Sequence, residues 1–72
     1  MTEKLVKTLN KDERDERVLI VHRVDGAFTY RRQWKHATGW GAAGPDGGLY
    51  DSAETAEHEA RARVPWLVPL FH

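Results

Sequence analysis

The sequence predicts an α+β fold: a small antiparallel sheet of three to four short strands with one C-terminal helix packed on one face, in the order β-β-β-(β)-α. Three observations predict it. Asp25-Gly26 separates two runs rich in β-branched and aromatic residues, the strongest short-range signature of a hairpin. Gly44-Pro45-Asp46-Gly47 carries the chemistry of a second turn. Residues 51–64 then set alanines at helical spacing between a capping sequence and a proline.

The elements follow in chain order. Residues 1–16 form a charged segment, read as a flexible arm apart from a single small domain over 17–72. Within it, Lys11-Asp12-Glu13-Arg14-Asp15-Glu16 offers nothing to bury against the entropy of ordering it. The sharper alternative is a short helix over 3–10 that docks through Leu5 and Leu9, four residues apart. Residues 17–24 read as a strand and 27–35 as its partner. A two-residue loop at Asp25-Gly26 sets Val24 opposite Ala27, Arg23 opposite Phe28, Val21 opposite Tyr30 and Leu19 opposite Arg32. One face then collects Leu19, Val21, Phe28, Tyr30 and Trp34. The other holds Val18, Ile20 and Val24 beside His22, Thr29, Arg31 and Gln33.

Residues 36–50 contain every glycine except Gly26. Thr38 to Ala43 suits a short irregular strand and Leu49-Tyr50 a brief returning one; a glycine-rich loop is the competing account. The helix opens at Asp51 or Ser52, either of which can cap it, with Glu54 in the first turn. Glu57 and Arg61, and Glu59 and Arg63, are i,i+4 pairs in the favourable orientation. Val64-Pro65 ends it, because a residue before proline avoids the α region. Its inward stripe, Ala53, Ala56, Ala60 and Val64, is small, so sheet side chains fill the gap: Leu19, Phe28, Tyr30 and Trp34 are expected there. The apolar ending, Pro65 to His72, reads as an extended tail that covers a sheet face of this molecule or of a partner.

Three stretches carry a resemblance: Thr38-Gly39-Trp40-Gly41, then Gly48-Leu49-Tyr50-Asp51-Ser52-Ala53-Glu54-Thr55-Ala56-Glu57, then Val64-Pro65-Trp66-Leu67. Together they resemble segments of small bacterial proteins of unassigned role, over about half the chain. The resemblance implies a bacterial source and assigns no role to any residue.

Composition bounds the function. At 72 residues there is room for one domain and little volume for a pocket. The core is lean as well: eight of the 29 apolar residues are alanine. Such a domain is marginal unless it associates. Without cysteine there is neither a disulfide nor a thiolate metal site. No apolar run approaches the roughly 20 residues of a spanning helix, and no signal-peptide core follows the N-terminus, so a cytoplasmic protein without membrane contact is expected. The four histidines fall 14, 22 and 14 residues apart, without a spacing that sets two metal ligands on one helix face. The one serine, Ser52, is better explained as a cap than as a nucleophile. The glycines around 39–48 lack a following Gly-Lys-Ser/Thr, and Asp46 and Asp51 would repel a phosphate. No catalytic residue, metal or cofactor is expected.

Two surfaces remain. The balanced charge, 11 basic against 11 acidic, conceals a dipolar chain with a net of +4 over residues 17–36 and −3 over 37–72. Arg31, Arg32, Trp34, Lys35 and Trp40 interleave base and aromatic, the pattern of a surface for a partner or for single-stranded nucleic acid. The competing account pairs these arginines with the chain's own acids, or lays their stems along the aromatics. The second surface is the face away from the helix, where Val18, Ile20 and Val24 make an apolar stripe suited to self-association. The expected function is therefore a small non-catalytic module for protein interaction or self-association. Its partner would be another protein or a second copy, with nucleic acid as the alternative.

Overall fold

The computed structural model describes residues 2–11 and 14–67. Four strands form one antiparallel sheet in sequence order: β1 (Lys4–Leu9), β2 (Glu16–His22), β3 (Phe28–His36) and β4 (Gly39–Trp40). One helix, α1 (Ala53–Arg63), lies across it and is followed by a single 3₁₀ turn at Pro65–Leu67. The α+β architecture is as the sequence implies. Val68 to His72, the outer part of the expected tail, lies outside the described residues.

The hairpin between β2 and β3 differs by one residue from the expected register. Its loop has three residues, not two. The Arg23 N–H donates to the Ala27 carbonyl (2.8 Å) and the Gly26 N–H to the Arg23 carbonyl (3.1 Å), while Asp25 Oδ1 accepts from the Ala27 N–H (3.1 Å). Gly26 takes φ 90°, the left-handed residue that completes a type I turn with a bulge. His22 therefore faces Phe28, Ile20 faces Tyr30 and Val18 faces Arg32. A one-residue slip turns every side chain of a strand to the other face. Val18 and Ile20, expected on the bare face, point at the helix and are buried, whereas Leu19 and Val21 turn away from it. Val24 is exposed in the loop. The expected self-association face of Val18, Ile20 and Val24 does not exist.

Residues 4–9 are a strand, neither a helix nor a flexible arm. Leu5 pairs with Val21 and Leu9 with Val18, and a bulge at Val6 shifts the register between Leu5 and Lys7. The extra residue puts Leu5 on the bare face and Leu9 in the core, so two leucines four apart do not share a face. Lys7 points at the helix, where its ammonium meets Glu57 at 3.0 Å.

The core is small: Leu9, Val18, Ile20 and Tyr30 from the sheet meet Ala56, Ala60, Val64 and Leu67. Ala56 and Ala60 are fully buried, as their spacing implies, with Ala53 and Phe28 packed at the margin. Of the side chains expected to fill the gap, Trp34 instead stands 43% exposed and Leu19 faces away. Ser52 caps the helix, its Oγ accepting from the Thr55 N–H at 3.1 Å. Both expected i,i+4 pairs are made, Glu57 with Arg61 and Glu59 with Arg63.

Beyond β4 the chain runs back along β3 without forming a ladder. The N–H groups of Gly41, Gly44, Gly47 and Tyr50 donate in turn to the carbonyls of Trp34, Arg32, Tyr30 and Phe28. Three residues of this segment are thus spent for every two of β3, and β3's outer edge is covered along its length.

Candidate interaction surface

Alternation along β3 divides the basic, aromatic residues between two faces. Arg32 and Trp34 lie on the helix side. Arg31 and Lys35 lie on the bare side, with Trp40 opposite Lys35 on β4. The five residues Arg31, Arg32, Trp34, Lys35 and Trp40 do not form one surface.

The arginines are largely spent on the chain's own acids. Arg31 donates two hydrogen bonds to Glu3, at 2.9 and 2.7 Å, and its Nε donates to Asp46. Its pKa is raised further above its ordinary value, first by the bonds to Glu3 and then by Asp46. Glu3 precedes β1 and Arg31 sits on β3, so their bridge crosses over β2. Arg23 holds Asp46 at 2.7 Å and Asp25 at 3.0 Å. On the helix side Arg32 is hydrogen-bonded to Glu16, a buried carboxylate. That bond holds Glu16 below the usual glutamate range against the opposing effect of burial, and the nearby Trp66 indole adds to it. The Trp66 N–H is itself buried without a formed hydrogen bond.

One end of the sheet is different. The Arg17 guanidinium lies 4.1 Å from the centre of the Trp40 ring and its Nε donates to Gln33 Oε1 at 2.7 Å. Lys35 is exposed beside Trp40. Among the described residues no carboxylate lies within ion-pair distance of Arg17 or Lys35. Next along the same face come Leu19, half-buried, and Leu5, 60% exposed. The chain matches no family model, no curated protein and no solved structure. The surface must therefore be read from its own chemistry.

No described helix or strand packs on this side, but its turn end is closed: Val21 and Thr29 are buried there, and Thr29 Oγ1 donates to the Gly48 carbonyl at 2.6 Å. The Cα framework is 16 Å in its thinnest direction, which accommodates one sheet and one helix layer and no third. On the helix side, Tyr30, Arg32, Trp34, Pro45 and the backbone of Gly44 and Gly47 line a shallow cleft of about 240 Å³. Its one cation, Arg32, is committed to Glu16 and lies 5.4 Å from the Trp34 ring. Among the described residues no three of His, Asp and Glu converge as metal ligands, and no helix is long and apolar enough to cross a membrane.

Sequence reasoning missed Arg17, Leu5 and Leu19 as surface residues. Arg17 carried a legible signal, as a base at the start of an apolar strand. Which tryptophan it would stack on depends on the β3–β4 register, which no local pattern marks.

Proposed function

We propose that the protein is a small non-catalytic interaction module that docks a partner protein on the bare face of its sheet. One observation carries this reading: apolar Leu5, Leu19 and Trp40 sit beside Arg17 and Lys35 at the end of a face on which no described helix or strand packs. An apolar centre with a polar rim is the anatomy of a protein interface.

Strand addition at an edge is the weaker mode. The free edge at β1 carries Lys4, Lys7 and the Val6 bulge, features that discourage edge pairing, and the other edge is covered by residues 41–50. Nucleic acid is also less favoured. Arg31 and Arg32 are engaged by carboxylates, Trp34 and Trp40 lie on opposite faces, and the Trp40 ring already carries a guanidinium.

The test is a comparative capture from the native cell with wild type, Leu19→Asp and Arg63→Glu, the last altering the far side of the helix. A protein retained by wild type and Arg63→Glu but lost with folded Leu19→Asp is the expected result. Equal retention by all three overturns the reading. A fluorescence titration with single-stranded DNA and RNA at ~50 mM salt, where phosphate contacts are strongest, decides the alternative. Tight binding there that Leu19→Asp leaves unchanged would replace a protein partner with nucleic acid.

A further inference from the structure

We infer that the partner segment taken by the bare face is acidic as well as apolar, with carboxylates meeting Arg17 and Lys35 and aliphatic side chains seated on Leu5 and Leu19. The inference rests on the proposed function and names the chemistry of the partner. It follows from the charges this face leaves over.

Among the described residues four cations belong to the bare face: Arg17, Arg23, Arg31 and Lys35. Arg23 and Arg31 share three carboxylates, those of Glu3, Asp25 and Asp46. They are matched within the molecule and offer little to a partner. Arg17 and Lys35, at the other end, have no carboxylate within ion-pair distance among the described residues. Arg17 is also held in place, stacked on Trp40 and bonded through one nitrogen to Gln33. Its other guanidinium N–H groups remain available for the two-pronged bond that carboxylates accept. A fixed donor loses little freedom on binding.

Covering these two cations with a partner that brings no anion would strip them of water with the single neighbouring carboxylate of Asp15, opposite Lys35, to compensate, which is costly. A neutral or basic partner is thereby disfavoured. A second copy is a poorer match, because the Glu3, Asp25 and Asp46 carboxylates of its bare face are already bonded to Arg23 and Arg31. That leaves Asp15, set opposite Lys35 by the Lys35 N–H bond to its carbonyl (2.7 Å), to meet two cations. The aliphatic requirement comes from the neighbours. Leu5 and Leu19 lie on β1 and β2 of the same face, one paired with Val21 and the other with Thr8. An extended segment crossing the strands can touch both leucines and reach Arg17.

The experiment uses the full chain, ¹⁵N-labelled, titrated with two blocked peptides that alternate leucine with glutamate or leucine with lysine, and with oligothymidylate. The Leu-Glu peptide should shift the resonances of Leu5, Arg17, Leu19, Lys35 and the Trp40 indole. The Leu-Lys peptide should not. Affinity for the Leu-Glu peptide should fall about fivefold in Lys35→Gln and between ~50 and ~300 mM salt, where screening is several times stronger. Arg17→Gln should act likewise; Lys35, being exposed, supplies the variant that leaves the fold untouched. Arg63→Gln should bind as wild type does.

Absence of Leu-Glu binding, equal binding of both peptides, or shifts confined to the helix side overturns the inference. Stronger shifts of the same residues with oligothymidylate overturn it in favour of nucleic acid. Shifts that grow with protein concentration alone, with a slower tumbling time, overturn it in favour of a second copy. If the Leu-Glu peptide fails while Leu19→Asp still loses the native partner, the acidic partner falls and the proposed function stands.

Discussion

Gly47 lies under the ring of Tyr30, and a β-carbon there would sit 2.2 Å from Cζ and under 3 Å from two further ring carbons. Tyr30 is a buried core residue and cannot swing away cheaply. Gly26 is a different case: a β-carbon on it meets nothing within 4 Å, but its φ of 90° disfavours any residue with a side chain. We expect Gly47→Ala to cost about 1–3 kcal/mol, as overpacking does, and Gly26→Ala about 1–2 kcal/mol, the penalty of the left-handed region. Urea midpoints would check both. A neutral Gly47→Ala would show that the 41–50 segment can lift off Tyr30. The glycines were legible as turn residues from the sequence. Their close approach to β3 was not, because it depends on a register of three residues against two.

At the scale of elements, the helix was the most legible part of the chain. Its cap, its two i,i+4 pairs and its stop at Val64-Pro65 are all local chemistry, and Ala56 and Ala60 are buried where their spacing put them. Ala56→Leu should overpack the helix–sheet interface by about 1–3 kcal/mol, lowering the thermal midpoint. An unchanged midpoint would mean that the interface has room. The strands were less legible, and for identifiable reasons. Asp-Gly serves a three-residue loop as well as a two-residue one, and the difference of one residue exchanged the faces of Val18 and Ile20 with those of Leu19 and Val21. The Val6 bulge hid the alternation of β1. Ile20→Lys separates the two registers directly. With Ile20 1% exposed beneath the helix, an ammonium there has no partner and the protein should unfold, seen as collapse of amide dispersion by NMR. A folded Ile20→Lys would restore the expected face.

At the scale of the whole molecule, formal neutrality is distributed as ion pairs that tie the pieces together. Arg31 joins β3 to the chain before β1 and to the 41–50 segment, Lys7 joins β1 to the helix, and Arg32 joins β3 to the start of β2. Among the described residues this pairing leaves Lys4, Lys11, Arg14, Arg17 and Lys35 outside any ion pair. Of these, Arg17 and Lys35 share the candidate surface, which emerges only when the partners are known. Charge counting located the basic hairpin, but it could not say which of its cations were free.

The same pairing sets the response to acid. Glu16 is held below the ordinary glutamate range by Arg32, and for Glu57 the bonds from Lys7 and Arg61 outweigh the upward push of burial. A carboxylate whose folded pKa is depressed binds fewer protons than it does in the unfolded chain. Its contribution is complete above the unfolded value of about 4.3 and is lost as pH falls through the folded one. The thermal midpoint should therefore hold between about pH 5 and 7 and drop steadily below about 4. Glu16→Gln should remove part of that slope. At neutral pH it loses the charged partner of Arg32, costing about 1 kcal/mol because Arg32 is partly solvated; as pH falls through the lowered folded value of Glu16, wild type loses the same contribution and the two curves approach each other. Parallel curves for wild type and Glu16→Gln from pH 7 to 2.5 would show that the bond between Glu16 and Arg32 does not govern the acid limb.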